Sequence, residues 1–183
     1  VVLAWAAFRY FRKRDAAARL FGMTRRGLAR GIGTGGLAYL LFFPGILTGS
    51  LLWQWAMLKW NLPSPPQTFL TLFEDSVSPG REFYLVFLAV LLAPVAEELL
   101  FRGMLLPWAA RRIGAGWAVL LLSAAFAGIH FHVPSFLPLF LISIGFSFSY
   151  LWSGSLWSSM AMHSFFNSAN LGLLLFLIEY KGI

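Results

Sequence analysis

Apolar residues run along this chain in long blocks and do not alternate with polar ones. Five blocks stand out, at about 37–58, 83–106, 115–131, 136–152 and 156–178. A helix of about 20 apolar residues crosses the hydrocarbon core of a bilayer. Within that core only helices or closed barrels satisfy their own backbone groups. The pattern therefore predicts an all-α, polytopic transmembrane helical bundle of about five full spans. Ahead of them, residues 1–8 are apolar but too short to cross. They read as a partial N-terminal span or an interfacial helix, so a longer parent chain is expected. Residues 16–20 read as an amphipathic surface helix.

The breaks between blocks have their own chemistry. Residues 31–36 are glycine-rich, either a flexible entry to the first span or a close helix contact. They lack the Lys-Ser/Thr ending of a phosphate loop. Residues 61–81 carry Pro63, Pro65, Pro66, Pro79 and Gly80 and form the longest irregular stretch, a lid or an external loop. Trp53, Trp55 and Trp60 mark an interface just before it. Arg111 and Arg112, then Pro134, then Ser153-Gly154-Ser155 separate the remaining blocks. No repeat or second core appears. Residues 1–36 read as a basic N-terminal segment and 37–183 as one membrane-embedded domain with its core at 83–178.

Composition sharpens this picture. Of 183 residues, 59% are apolar and 11% charged, against about 25% charged in a soluble domain. Mean hydropathy is +0.74. These values exclude a soluble enzyme and a disordered tail. The absence of cysteine excludes thiol catalysis, Cys-ligated zinc and disulfides. The net charge of +7 does not point to nucleic acid, because eight of the 14 Lys and Arg residues fall within 9–30. A basic block beside apolar spans reads as a cytoplasmic segment facing membrane lipids. Arg111 and Arg112 fall on the same side, and Lys59, Arg81 and Lys181 on the other. The expected location is the cell membrane, multi-pass, with the 9–30 segment in the cytoplasm.

Three charges lie inside an apolar block: Glu97, Glu98 and Arg102. Unpaired, each costs several kcal/mol in lipid, so all three must face the bundle or a watery cavity. Glu98 and Arg102 are four apart, hence on one helix face and able to pair. Glu97 is turned about 100° away and needs a partner from another helix. Such a carboxylate suits a general acid or base. His130 closes one apolar block, and His163 and Asn167 share one face of the last. Carboxylate and imidazole together can deprotonate water, while a second imidazole and an amide can stabilise an oxyanion. Glu97, His130 and His163 could equally hold a divalent metal. The zinc-protease pattern HExxH is absent. No serine lies in GxSxG. His132 reads as an interfacial polar residue or a spare ligand, and Phe136, Phe140, Phe146 and Phe148 as packing residues or the lining of an apolar cavity.

Glu97-Glu98-Leu99-Leu100-Phe101-Arg102 matches EExxxR, Phe126 to His130 matches FxxxH, and His163 to Asn167 matches HxxxN. In this order, each within an apolar block, the three motifs resemble the CPBP family of intramembrane proteases, the CAAX protease and bacteriocin-processing or Abi family. The resemblance implies an intramembrane endopeptidase acting on a membrane-associated or lipidated peptide or protein. It assigns Glu97 and His130 to water activation and His163 and Asn167 to the oxyanion. Glu98 and Arg102 become supporting residues and Phe126 a packing position. A glutamate-type enzyme needs no cofactor, whereas a metal-dependent one uses a divalent ion such as zinc. The alternatives are a non-catalytic bacteriocin-immunity or scaffold protein, and a proton- or metal-coupled transporter. Straight helices set Glu97 and His163 at similar depth but His130 nearer the outer surface, a mismatch that shifted helix boundaries or a kink at Pro94 must absorb.

Overall fold

The computed structural model describes residues 21–64 and 78–181. Among them are five helices and no strand. They are α1 (Arg25–Lys59), α2 (Pro79–Ile113), α3 (Ala115–Gly128), α4 (Val133–Ser153) and α5 (Leu156–Lys181). The expectations for residues 1–8 and 16–20, and for most of the 61–81 loop, lie outside the described residues. Each predicted block forms a helix. Three of the five, α1, α2 and α4, are long and apolar enough to cross a membrane. At 14 residues, α3 rises only about 21 Å, short of the roughly 30 Å core.

Helix α1 starts well before position 37. The Thr24 hydroxyl accepts from the Gly27 N–H at 3.0 Å and caps the first turn. The helix then runs through the 31–36 glycines, although each glycine is about 1 kcal/mol poorer than alanine there. Packing against α5 offsets that deficit. A Cβ on Gly35 would lie 2.5 Å from the Ser158 carbonyl oxygen, and one on Gly31 would collide with Trp157. Thr34 donates to Ser158 Oγ across the same contact at 2.9 Å. Small residues that admit a neighbouring backbone are a common device in membrane helix pairs. Gly35→Ala is therefore expected to destabilise the bundle by about 1–3 kcal/mol through overpacking. Gly33→Ala, whose added Cβ meets nothing within 4 Å, is neutral or stabilising. Thermal melting of the two variants in detergent checks the contrast.

Helix α2 begins earlier than expected too. Ser78 caps it and Pro79 occupies its first turn, where a missing N–H costs nothing. The helix widens twice into π turns, at Leu88–Leu92 and Leu99–Leu105. The Ala93 N–H bonds the Leu88 carbonyl and the Leu106 N–H the Phe101 carbonyl, each five residues back. Pro94 and Pro107 follow these turns directly. Such single π turns gather at functional sites, and here they bracket Glu97 and Glu98.

The helices alternate in direction. Ser155 Oγ donates to the Gly22 carbonyl at 2.8 Å, and Trp53 Nε1 donates to the Val133 carbonyl at 2.9 Å. The start of α1, the α2–α3 turn and the α4–α5 turn thus share one end of the bundle. Gly154 makes the last of these turns, with φ +65° at the end of α4, a conformation glycine adopts without strain. All five helices meet in one apolar cluster, through Ala38 and Ile46, Phe101, Phe126, Ile142 and Phe146, and Met162. The polar centre sits against this cluster.

Candidate active site

Glu98 and Arg102 are fully buried, and Arg102 Nη1 donates to Glu98 Oε1 at 2.9 Å. The four-residue spacing thus forms the expected pair. Arg102 is held from α4 as well. Its Nη2 donates to the Ser143 carbonyl at 2.7 Å and to Ser143 Oγ at 2.6 Å, and its Nε reaches Ser147 Oγ at 3.3 Å. The phenyl rings of Phe101, Phe126 and Phe146 surround the guanidinium at 5.8, 5.3 and 5.1 Å, within cation–π range. Charge, hydrogen bonds and ring faces together let an arginine sit in an apolar bundle.

The far side of Glu98 faces α5. His163 Nδ1 lies 3.0 Å from Glu98 Oε1. Against a carboxylate that nitrogen carries the hydrogen, so the bond fixes both ring orientation and tautomer. Phe146 stacks on the imidazole at 4.4 Å with planes 20° apart. The other nitrogen, Nε2, points to Glu97 Oε2 at 3.8 Å. This is the partner that Glu97 required from another helix. The separation is too long for a direct hydrogen bond. Glu97 Oε2 is buried without a hydrogen-bond partner, although the Glu97 side chain as a whole is 29% exposed. An orphaned carboxylate oxygen beside an imidazole nitrogen, on a half-open side chain, suits a reactive water molecule.

His130 lies one turn beyond Phe126. Its Nδ1 donates to the Phe126 carbonyl at 2.7 Å, which leaves Nε2 as the basic nitrogen of the neutral ring. The Phe126 ring touches both histidines, at 4.9 Å from His130 and 5.7 Å from His163. The extent of α2 removes the depth mismatch, because it runs on to Ile113, seven residues past the expected end of its block. Counted from the Gly114 turn at 1.5 Å per residue, Glu97 and His130 stand about 26 and about 24 Å away. His130 therefore ends level with Glu97 along the bundle. No kink at Pro94 is needed for this.

Asn167, on α5, is only partly exposed. Its side-chain amide donates to the Ala89 carbonyl on α2 at 2.8 Å. His132 stands apart from the site. It precedes α4, bonds Ser135 Oγ at 2.7 Å through Nδ1, and lines an apolar cavity of about 400 Å³ with Trp53, Phe131, Val133 and Phe136. Phe131 is 93% exposed and adopts φ +49°, an uncommon conformation for an aromatic residue. Glu97, His130 and His163 do not assemble into a ligand set. Among the described residues no three His, Cys, Asp or Glu side chains group so as to hold a metal ion. Sequence reasoning missed Ser143, Ser147 and the Ala89 carbonyl. The i, i+4 serine spacing on an otherwise apolar helix was the available signal.

A buried carboxylate–arginine–imidazole array in an apolar helical bundle defines a membrane protein with a polar, water-competent centre. Residues 79–169, about half of the chain, match the family model for type II CAAX prenyl endopeptidase Rce1-like proteins. Every residue of the three motifs lies within that match. The chain belongs to the CPBP/CAAX protease family, which makes it a protease, a hydrolase acting on membrane-associated protein. No curated protein and no solved structure matches the chain.

Proposed function

We propose that the protein is an intramembrane endopeptidase that hydrolyses a peptide bond of a membrane-associated or lipidated peptide or protein. The observation that carries this reading is the orphaned Glu97 Oε2 facing His163 Nε2 at 3.8 Å. In the proposed reaction a water molecule binds Glu97 and the free Nε2 of His130. Glu97 takes a proton as the water oxygen attacks the carbonyl carbon. The oxyanion that forms is held by His163 and by the second N–H of the Asn167 amide. Collapse breaks the C–N bond, and the proton on Glu97 passes to the leaving amine. Glu98 and Arg102 keep His163 in place. No step runs through a metal ion.

The same proposal covers the surroundings. Residues 37–183 form the membrane-embedded domain, and 1–36 a basic cytoplasmic segment against lipid headgroups. The chain crosses the cell membrane several times. The apolar cavity beside the His130 turn, with Trp53, Phe131 and Phe136 in its wall, offers an apolar substrate segment a place to lie.

The direct test compares the termini of membrane proteins in cells expressing wild type or Glu97→Ala at equal levels. New N- or C-termini that appear only with wild type are expected, and they name the substrates. Identical termini, with both proteins folded, would favour the immunity or scaffold reading.

A further inference from the structure

Asn167 has a neighbour that its proposed oxyanion role does not explain. The π turn Leu88–Leu92 pairs each carbonyl with the N–H five residues ahead, as between Leu88 and Ala93. The next carbonyl in that register is Ala89, and its counterpart is Pro94. Proline has no N–H. The Ala89 carbonyl is thus left without a backbone donor in an apolar helix, where an unpaired carbonyl is costly. The Asn167 amide fills the vacancy at 2.8 Å. Pro94 is fully buried, so water does not easily substitute for that donor. Glu97 and Glu98 follow Pro94 by three and four residues.

We infer that Asn167 is a positioning residue that anchors α5 to the proline-opened turn of α2 and thereby sets the place of Glu97 opposite His163. The anchor lies one helical turn beyond His163 on α5 and two turns before Glu97 on α2. It closes the loop that Glu98 and His163 close from the other side. The inference rests on the endopeptidase reading for its catalytic consequence but not for its structural one. One N–H of the amide anchors the turn, and the other remains for the oxyanion.

The Pro94 vacancy supplies the test, because Pro94→Ala restores the missing backbone N–H. Asn167→Ala removes both the anchor and an oxyanion donor, so kcat is expected to fall well beyond the roughly hundredfold of a misplacement near 1 Å alone, with KM changed less than about threefold. Pro94→Ala alone stays within about threefold of wild type. Combined with Asn167→Ala, it is expected to recover the roughly hundredfold share of kcat lost to misplacement but not the share lost with the oxyanion donor, and to restore the melting midpoint in detergent. A double variant as slow as Asn167→Ala, with the midpoint restored, would overturn the positioning role and leave Asn167 acting on the substrate. A midpoint that Asn167→Ala does not lower, or that Pro94→Ala does not restore, would overturn the anchor itself. Should wild type cleave nothing, the endopeptidase reading fails, while the melting comparison still decides the anchor.

Discussion

Glu97→Gln is expected to slow cleavage by about 10³-fold or more, the upper range for loss of a positioned general base, without unfolding the bundle. The amide keeps the size and place of the carboxyl but cannot take a proton from water. The fold should survive because Glu97 makes no hydrogen bond through Oε2, and its nearest ionic neighbour, His163, is 3.8 Å away. The glutamine also removes a partly buried charge whose Oε2 has no hydrogen-bond partner, so the melting midpoint should hold or rise. Single-turnover cleavage of a substrate found by terminal analysis, run beside thermal melting, measures both. Activity within tenfold of wild type would remove Glu97 from the chemistry. Lost activity with a collapsed midpoint would make it structural.

Much of the centre was legible in the sequence because charges in lipid have few ways to survive. Three ionisable residues in one apolar block, two of them four apart, required an internal pair and a partner from elsewhere. The pair is Glu98 and Arg102, and the partner is His163. The helices were legible for a related reason, since blocks of apolar residues this long leave the backbone little choice. What stayed hidden depends on contacts between elements. Glycines at 31, 33, 35 and 36 argue locally against a helix, and only the approach of Trp157 and Ser158 makes one favourable there. Ser143 and Ser147 look like any serines of a membrane helix until Arg102 reaches them. The π turns are a change of hydrogen-bond register that hydropathy does not encode. They leave one trace, a proline following each. The inner end of α2 lies seven residues beyond the last residue of its apolar block, because Arg111 and Arg112 end the hydropathy signal without ending the helix, and that difference set Glu97 and His130 at unequal depths.

Arg102→Ala is expected to destabilise the protein by about 3–5 kcal/mol, the cost of leaving one member of a buried ion pair without the other. Glu98 would keep its burial and lose its cation, and its Oε2 already lacks a partner. Ser143 and Ser147 would lose their common donor, and the three phenyl rings would face a cavity. Arg102→Lys should be intermediate, since one ammonium group cannot serve Glu98 and both serines with the geometry of a planar guanidinium. The decisive comparison is Glu98→Leu combined with Arg102→Met. Replacing a buried pair by apolar groups of similar size is often neutral or stabilising, so the double variant should melt closer to wild type than Arg102→Ala does. It should still not cleave, because His163 Nδ1 loses the carboxylate that orients it. A stable, inactive double variant would show that the pair serves the imidazole first and the fold second. A double variant that keeps its activity would show that Phe146 and the surrounding packing alone hold His163 in place.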